Sequence, residues 1–156
     1  MGLSCVDHIN IVVSDLAVSV HFYVELLGFK ETRRALLTGD WIESIVGLKG
    51  VEAEVVFVQP PGGGPRIELI WYKAPSGEHV AACSLPNTQG LRHIAFQVED
   101  IMGEYERLRE AGVVFLGPPV AVPGDVIRHD DGQKRLCYFR DPDGVVLELA
   151  EYAGAH

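Results

Sequence analysis

His93-Ile94-Ala95-Phe96-Gln97-Val98-Glu99-Asp100 is an echo: His8-Ile9-Asn10-Ile11-Val12-Val13-Ser14-Asp15 says nearly the same thing earlier in the chain. Histidine, isoleucine, valine and aspartate recur in register, 85 positions apart (8 to 93, 9 to 94, 13 to 98, 15 to 100). A second echo lies further on. Arg66-Ile67-Glu68-Leu69-Ile70-Trp71-Tyr72 and Val146-Leu147-Glu148-Leu149-Ala150-Glu151-Tyr152 share glutamate, leucine and tyrosine at a separation of 80 (68 to 148, 69 to 149, 72 to 152). Self-similarity at a fixed spacing marks a structural unit used twice.

Each half reads as strand, helix, strand, strand, strand. Residues 5–13 are apolar at nearly every position, as a buried strand requires. Ser14 or Asp15 can then cap a helix, with Leu16, Val20, Tyr23 and Leu27 on one face and Gly28 at its C-terminal end. Strands follow at 29–37, 51–59 and 66–72. A short helix around Trp41 to Val46 ends at Gly47 or Gly50, and Pro60 to Pro65 is a turn. The second half places a strand at 91–98 and a helix capped by Glu99 or Asp100, with Ile101, Tyr105 and Leu108 on one face and Gly112 as its stop. A short strand at 113–116, a long loop at 117–132, a strand at 134–140, the turn Asp141-Pro142-Asp143-Gly144 and a closing strand at 145–152 complete it. The expected fold is α+β: two tandem βαβββ modules (about 5–72 and 91–152) joined by a linker (73–90) within a single domain spanning 1–156. Neither half is large enough to be a comfortable domain alone. The linker permits the modules to pair within one chain or across a dimer.

The bulk numbers narrow the function. A net charge of −9 argues against nucleic acid, which wants a basic face, and against docking on anionic lipid. No apolar run approaches the roughly 20 residues of a membrane helix, and the N-terminus shows no basic leader. Cys5, Cys83 and Cys137 form no close pair, which suits a reducing, cytoplasmic setting. The expected partner is a small-molecule substrate.

The repeat puts one polar residue on each terminal strand: His8 and His93 on the opening strands, Glu68 and Glu148 on the closing ones. Side chains alternate along a strand. His8 therefore shares a face with Asn10 and Val12, and Glu68 with Arg66, Ile70 and Tyr72. His93 shares one with Ala95 and Gln97, and Glu148 with Val146, Ala150 and Tyr152. If the sheets pair, all four polar side chains line one surface opposite the helices, a curved mixed sheet around a cleft. Two imidazoles and two carboxylates make a good divalent-metal site. A carboxylate in a Val/Leu strand is expensive unless it is paired or ligating. Taken singly, such a histidine is more often a packed or edge residue, and such a glutamate often faces water. The recurrence of all four is what points to metal.

These motifs resemble those of the vicinal oxygen chelate superfamily, which contains glyoxalase I, methylmalonyl-CoA epimerase, extradiol dioxygenases and the fosfomycin and bleomycin resistance proteins. The resemblance covers essentially the whole chain. It is carried by His8 with Phe22-Tyr23-Val24-Glu25-Leu26-Leu27-Gly28-Phe29, by Ile67-Glu68-Leu69, by Gly90-Leu91-Arg92-His93-Ile94-Ala95-Phe96, and by Asp141-Pro142-Asp143-Gly144 leading to Leu147-Glu148-Leu149. It implies His8, Glu68, His93 and Glu148 as ligands of one divalent metal (Zn, Ni, Co, Mn or Fe) and a homodimeric assembly. It also implies metal-assisted proton transfer next to a carbonyl, with Glu148 taking and returning the proton and Glu68 serving the opposite face. Glutamate at the second ligand place and the Asp-Pro-Asp-Gly turn look more like glyoxalase I than the epimerases. Glutathione-using glyoxalases carry an arginine and an asparagine where this chain has Val12 and Tyr72, which argues against glutathione as cosubstrate.

The alternatives are an Fe or Mn dioxygenase using His8, His93 and Glu148, and a non-catalytic module that sequesters an antibiotic. Arg66, Arg92, Asn10 and Gln97 are candidates for contacting a polar substrate, against surface or strand-edge roles. His21 and His79 read as solvated, His129-Asp130-Asp131 as part of a lid or a merely mobile loop, and Trp41 with Glu43 as a cover for the cleft or, more simply, ordinary packing. The cysteines read as small core residues.

Overall fold

The structure, a computed structural model, describes residues 4–79, 85–124 and 133–153. Cys83, His129, Asp130 and Asp131 lie outside them. The chain divides into two compact units, Met1–His79 and Val80–His156.

The first unit runs β1 (His8–Val12), α1 (Leu16–His21), β2 (Lys30–Thr38), α2 (Asp40–Val46), β3 (Glu52–Gln59) and β4 (Arg66–Ala74). Its sheet has the order β1-β4-β3-β2, with β1 parallel to β4 and the other pairs antiparallel. A parallel neighbour needs a long crossover, and everything from α1 to β3 supplies it. The opening strand is shorter than 5–13 because its ladder starts only where β4 begins, with Arg66 N donating to Asp7 O.

Of the two candidate caps, Asp15 is the one used: its Oδ1 accepts from the backbone N–H groups of Ala17 and Val18. The helix does not stay regular to Gly28. After His21 it widens into a π-helical turn, Phe22–Leu26. The wider turn accommodates two adjacent aromatics that are both buried, Phe22 and Tyr23. Gly28, at φ 71°, ends it with Phe29 N donating to Tyr23 O, the left-handed stop that glycine allows. This helix packs on β3 and β4, over the fully buried Val56, Val58, Ile67 and Leu69. Each such side chain contributes about 1.5–3 kcal/mol by leaving water. On the opposite face, Ile42 of α2 packs with Val51, Ala53, Val55 and Ile70.

The second unit runs β5 (His93–Gln97), α3 (Ile101–Glu110), β6 (Val120–Ala121), β7 (Gln133–Arg140) and β8 (Val146–Ala153), in sheet order β5-β8-β7-β6. Again the opening and closing strands are parallel. Asp100 caps α3 through Gly103 N, and Ile101 N donates to Glu151 of β8, tying helix to sheet. The short strand expected at 113–116 is a single bridge, Phe115 to Phe139, and a two-residue strand appears instead within the expected loop. Pro118 and Pro119 explain the break. They lack an N–H to continue the ladder, so pairing with β7 stops after Leu116 and resumes at Val120.

Asp141 holds the turn before β8: its Oδ1 accepts from Asp143 N and Val145 N, while its carbonyl accepts from Gly144 N. That turn fixes where β8 starts and hence where Glu148 points. Two mixed four-stranded sheets with few helices make this the α+β, twice-βαβββ architecture that the repeat implies. Among the described residues no helix is long and apolar enough to cross a membrane.

Candidate metal centre

Register explains how each histidine meets its glutamate. In the first unit His8 stands opposite Arg66, two residues before Glu68. In the second His93 stands opposite Val146, two residues before Glu148. Residues two apart on neighbouring strands share a face and reach each other diagonally. The result is the same contact twice: His8 Nε2 lies 3.4 Å from Glu68 Oε2, and His93 Nε2 lies 3.4 Å from Glu148 Oε2.

That spacing suits shared ligation. Two donors bound to one ion at about 2.1 Å and a tetrahedral angle stand roughly 3.4 Å apart. The donor types, a neutral imidazole beside a carboxylate, are those that divalent transition metals take. The structure brings the four expected residues together as two pairs, one per unit. Among the described residues no three His, Cys, Asp or Glu side chains form one cluster.

The first pair is the more open, with the His8 side chain 39% exposed and Glu68 18%. Its surroundings orient both members. Asp7 Oδ2 lies 2.8 Å from His8 Nδ1, and Asn10 Nδ2 donates to Glu68 Oε2 at 2.8 Å. A proton on Nδ1, donated to Asp7, leaves the Nε2 lone pair facing Glu68, the arrangement that carboxylate partners give metal-bound histidines. The His8 bond, and then Arg66 at 2.8 Å, hold the Asp7 carboxyl below the usual range. Phe57 meets the His8 ring edge-on and carries Arg66 on its face.

The second pair is different. Glu148 is only 3% exposed, and its other oxygen, Oε1, lies 2.8 Å from Lys134 Nζ. Oε1 has no formed hydrogen bond, so this is an ion contact lacking the angle of one. Glu148 nevertheless holds the Lys134 ammonium above its ordinary range against the pull of burial. Burial, and then the Glu148 charge, raise the Tyr138 phenol, whose ring lies 5.3 Å from that of His93.

Lys134 and Asp7 are the residues that sequence reasoning missed. Asp7 was visible as the neighbour of His8. Lys134 was not, because its approach to Glu148 depends on the β7–β8 register, which pairs it with Tyr152 and Tyr138 with Glu148. Two of the remaining candidates border the first pair and the others do not. Arg66 is held by Asp7, Asn10 serves Glu68, and Gln97 is exposed at the end of β5. His21 and His79 are exposed, and Trp41 is 55% exposed beside the buried Ile42. Glu43 closes its own loop on Lys49 and Gly50 N. Cys137 is a buried core residue, but Cys5 is exposed, contrary to expectation, because it precedes the first ladder contact of β1.

With the fold and the two histidine–glutamate contacts in place, the class is defined. The chain belongs to the Glyoxalase/Bleomycin resistance protein/Dioxygenase superfamily, whose pattern it matches over residues 6–149. It is 34% identical over 152 residues to the protein YaeR of Escherichia coli (strain K12), covering 97% of this chain and 98% of that one. It is 30% identical to a 2-epi-5-epi-valiolone epimerase of an Actinomyces species, covering 95% of this chain and 79% of the epimerase. Among solved structures, a glyoxalase family protein from Bacillus cereus superposes with a TM-score of 0.82 at 29% identity, covering 99% of this chain and 97% of that one.

Proposed function

We propose that the protein is a metal-dependent enzyme of glyoxalase I type, a lyase or isomerase that moves a proton next to a carbonyl. His8 with Glu68 in the first unit, and His93 with Glu148 in the second, would be its divalent-metal ligands. The observation that carries this reading is the repeated 3.4 Å contact between imidazole Nε2 and carboxylate Oε2, produced by the same two-residue offset in both parallel strand pairs. Superfamily membership and the epimerase relative support it.

When bound, the ion polarises a carbonyl oxygen as a Lewis acid and acidifies the neighbouring C–H. The chain's own residues do the rest. Glu148 takes the proton and returns it, while Glu68, oriented by Asn10, serves the opposite face of the substrate. Asp7 and Phe57 fix the His8 ring. Val12 and Tyr72, in place of the glutathione-binding arginine and asparagine, leave a substrate other than a glutathione adduct.

The test is isotope exchange. Protein loaded in turn with Zn, Ni, Co, Mn and Fe is incubated in deuterated water with a panel of 2-hydroxy and 2-oxo carbonyl compounds. Deuterium should enter the carbon next to the carbonyl, and E148Q should abolish this. Oxygen uptake with iron or manganese and no exchange would make the protein a dioxygenase instead.

A further inference from the structure

The two half-sites share their histidine–glutamate contact but differ in what holds the carboxylate. Glu68 accepts a hydrogen bond from the neutral Asn10 amide on Oε2, the oxygen that faces His8. Glu148 has its two oxygens divided between partners. Oε2 faces His93 Nε2 at 3.4 Å, and Oε1 faces the Lys134 ammonium at 2.8 Å. Both members of that ion contact are shielded, with side-chain exposures of 16% for Lys134 and 3% for Glu148. Lys134 is also fixed from a second side, over the ring of Tyr152 at 5.6 Å.

We infer that Lys134 is a positioning residue that keeps Glu148 a one-oxygen ligand, and this rests on the metal-centre reading above. A carboxylate beside a divalent ion can close on it with one oxygen or with both. A cation already seated on Oε1 opposes the second contact by charge and by holding that oxygen where it is. A bound ion would then have a coordination position left for the substrate's oxygen. Lys134 also sets the charge. Its ammonium beside Glu148 offsets the negative charge that this carboxylate would bring to the ion. The class of substrate this favours is anionic: a 2-hydroxy or 2-oxo acid, or the enediolate that proton removal creates.

The experiment uses the full chain loaded with Co(II), whose visible absorption weakens as its coordination number rises. The parent, K134R and K134M are compared by that spectrum and by cobalt affinity in competition with a chelator. K134R should keep the parental spectrum. K134M should show weaker bands, because Glu148 closes on the ion with both oxygens, and should bind cobalt about tenfold tighter or more, since a like charge beside the ion is gone. Circular dichroism checks that each variant is folded. Should K134M fail to fold, K134A admits water to Oε1 and frees the carboxylate in the same way, so the same changes are expected of it. Cobalt bound by the parent, with spectrum and affinity unchanged in a folded variant lacking Lys134, overturns this inference alone. A parent that binds no metal overturns the metal-centre reading and this inference with it.

Discussion

Asp7 Oδ2 lies 2.8 Å from His8 Nδ1, and the other ring nitrogen of the same histidine faces Glu68. One imidazole thus bridges two carboxylates. An acidic partner on the far nitrogen fixes the tautomer and makes the near nitrogen a better donor. Such partners are worth about 10- to 100-fold in metal affinity. D7A should therefore weaken metal binding by that order without unfolding the protein, since Asp7 is exposed. R66M leaves Asp7 on His8 and should cost less. Chelator competition measures both, and equal affinities in parent and D7A would contradict the assignment.

Lys134 and Glu148 also make a prediction about stability without metal. Removing one partner of a shielded ion pair leaves an uncompensated charge, at a cost of about 3–5 kcal/mol. Denaturant unfolding of the metal-free protein should show K134M destabilised by that order. The K134M/E148Q double variant should recover part of the loss, with a coupling of about 0.5–3 kcal/mol. Strictly additive effects would mean that the two side chains do not interact.

Cys137 gives a prediction about alkaline pH. Burial, and then the nearby Glu148 charge, push its thiol from 9.0 up to about 11. An acid whose folded pKa is raised holds its proton longer in the native state. The associated stability is present below the unfolded value near 9 and is lost as pH climbs from there toward 11. The parent should lose stability faster than C137A across that interval. The same thiol should be slow toward alkylating reagents at neutral pH, since the thiolate is the nucleophile. Peptide mass spectrometry should find Cys5 labelled well before Cys137. Matching rates would mean that β7 opens readily.

The repeat made most of the fold legible. One offset aligned the opening strands and another the closing ones, and alternation then put each His and Glu on a known face. What stayed hidden depends on partners distant in sequence. The bulge of α1 into a π turn follows from burying both Phe22 and Tyr23, a demand the sheet makes rather than the helix. The break between the Phe115 bridge and β6 follows from Pro118 and Pro119 meeting β7 at a register that cannot be read from sequence. Lys134 escaped for the same reason: its neighbour in space, Glu148, is on another strand. The four ligand candidates were legible because the chain states them twice. The residues that orient those candidates are stated once and differ between halves, so no repeat could find them.

The central claim is that the two histidine–glutamate pairs hold a metal, and metal content tests it most directly. The parent, H93A and E148A are purified side by side, loaded with each candidate ion in turn, desalted and measured by elemental analysis. The expected result is about one ion per chain in the parent and loss of that ion in both variants. A parent that retains no metal under any loading, or variants that retain it fully, would contradict the account.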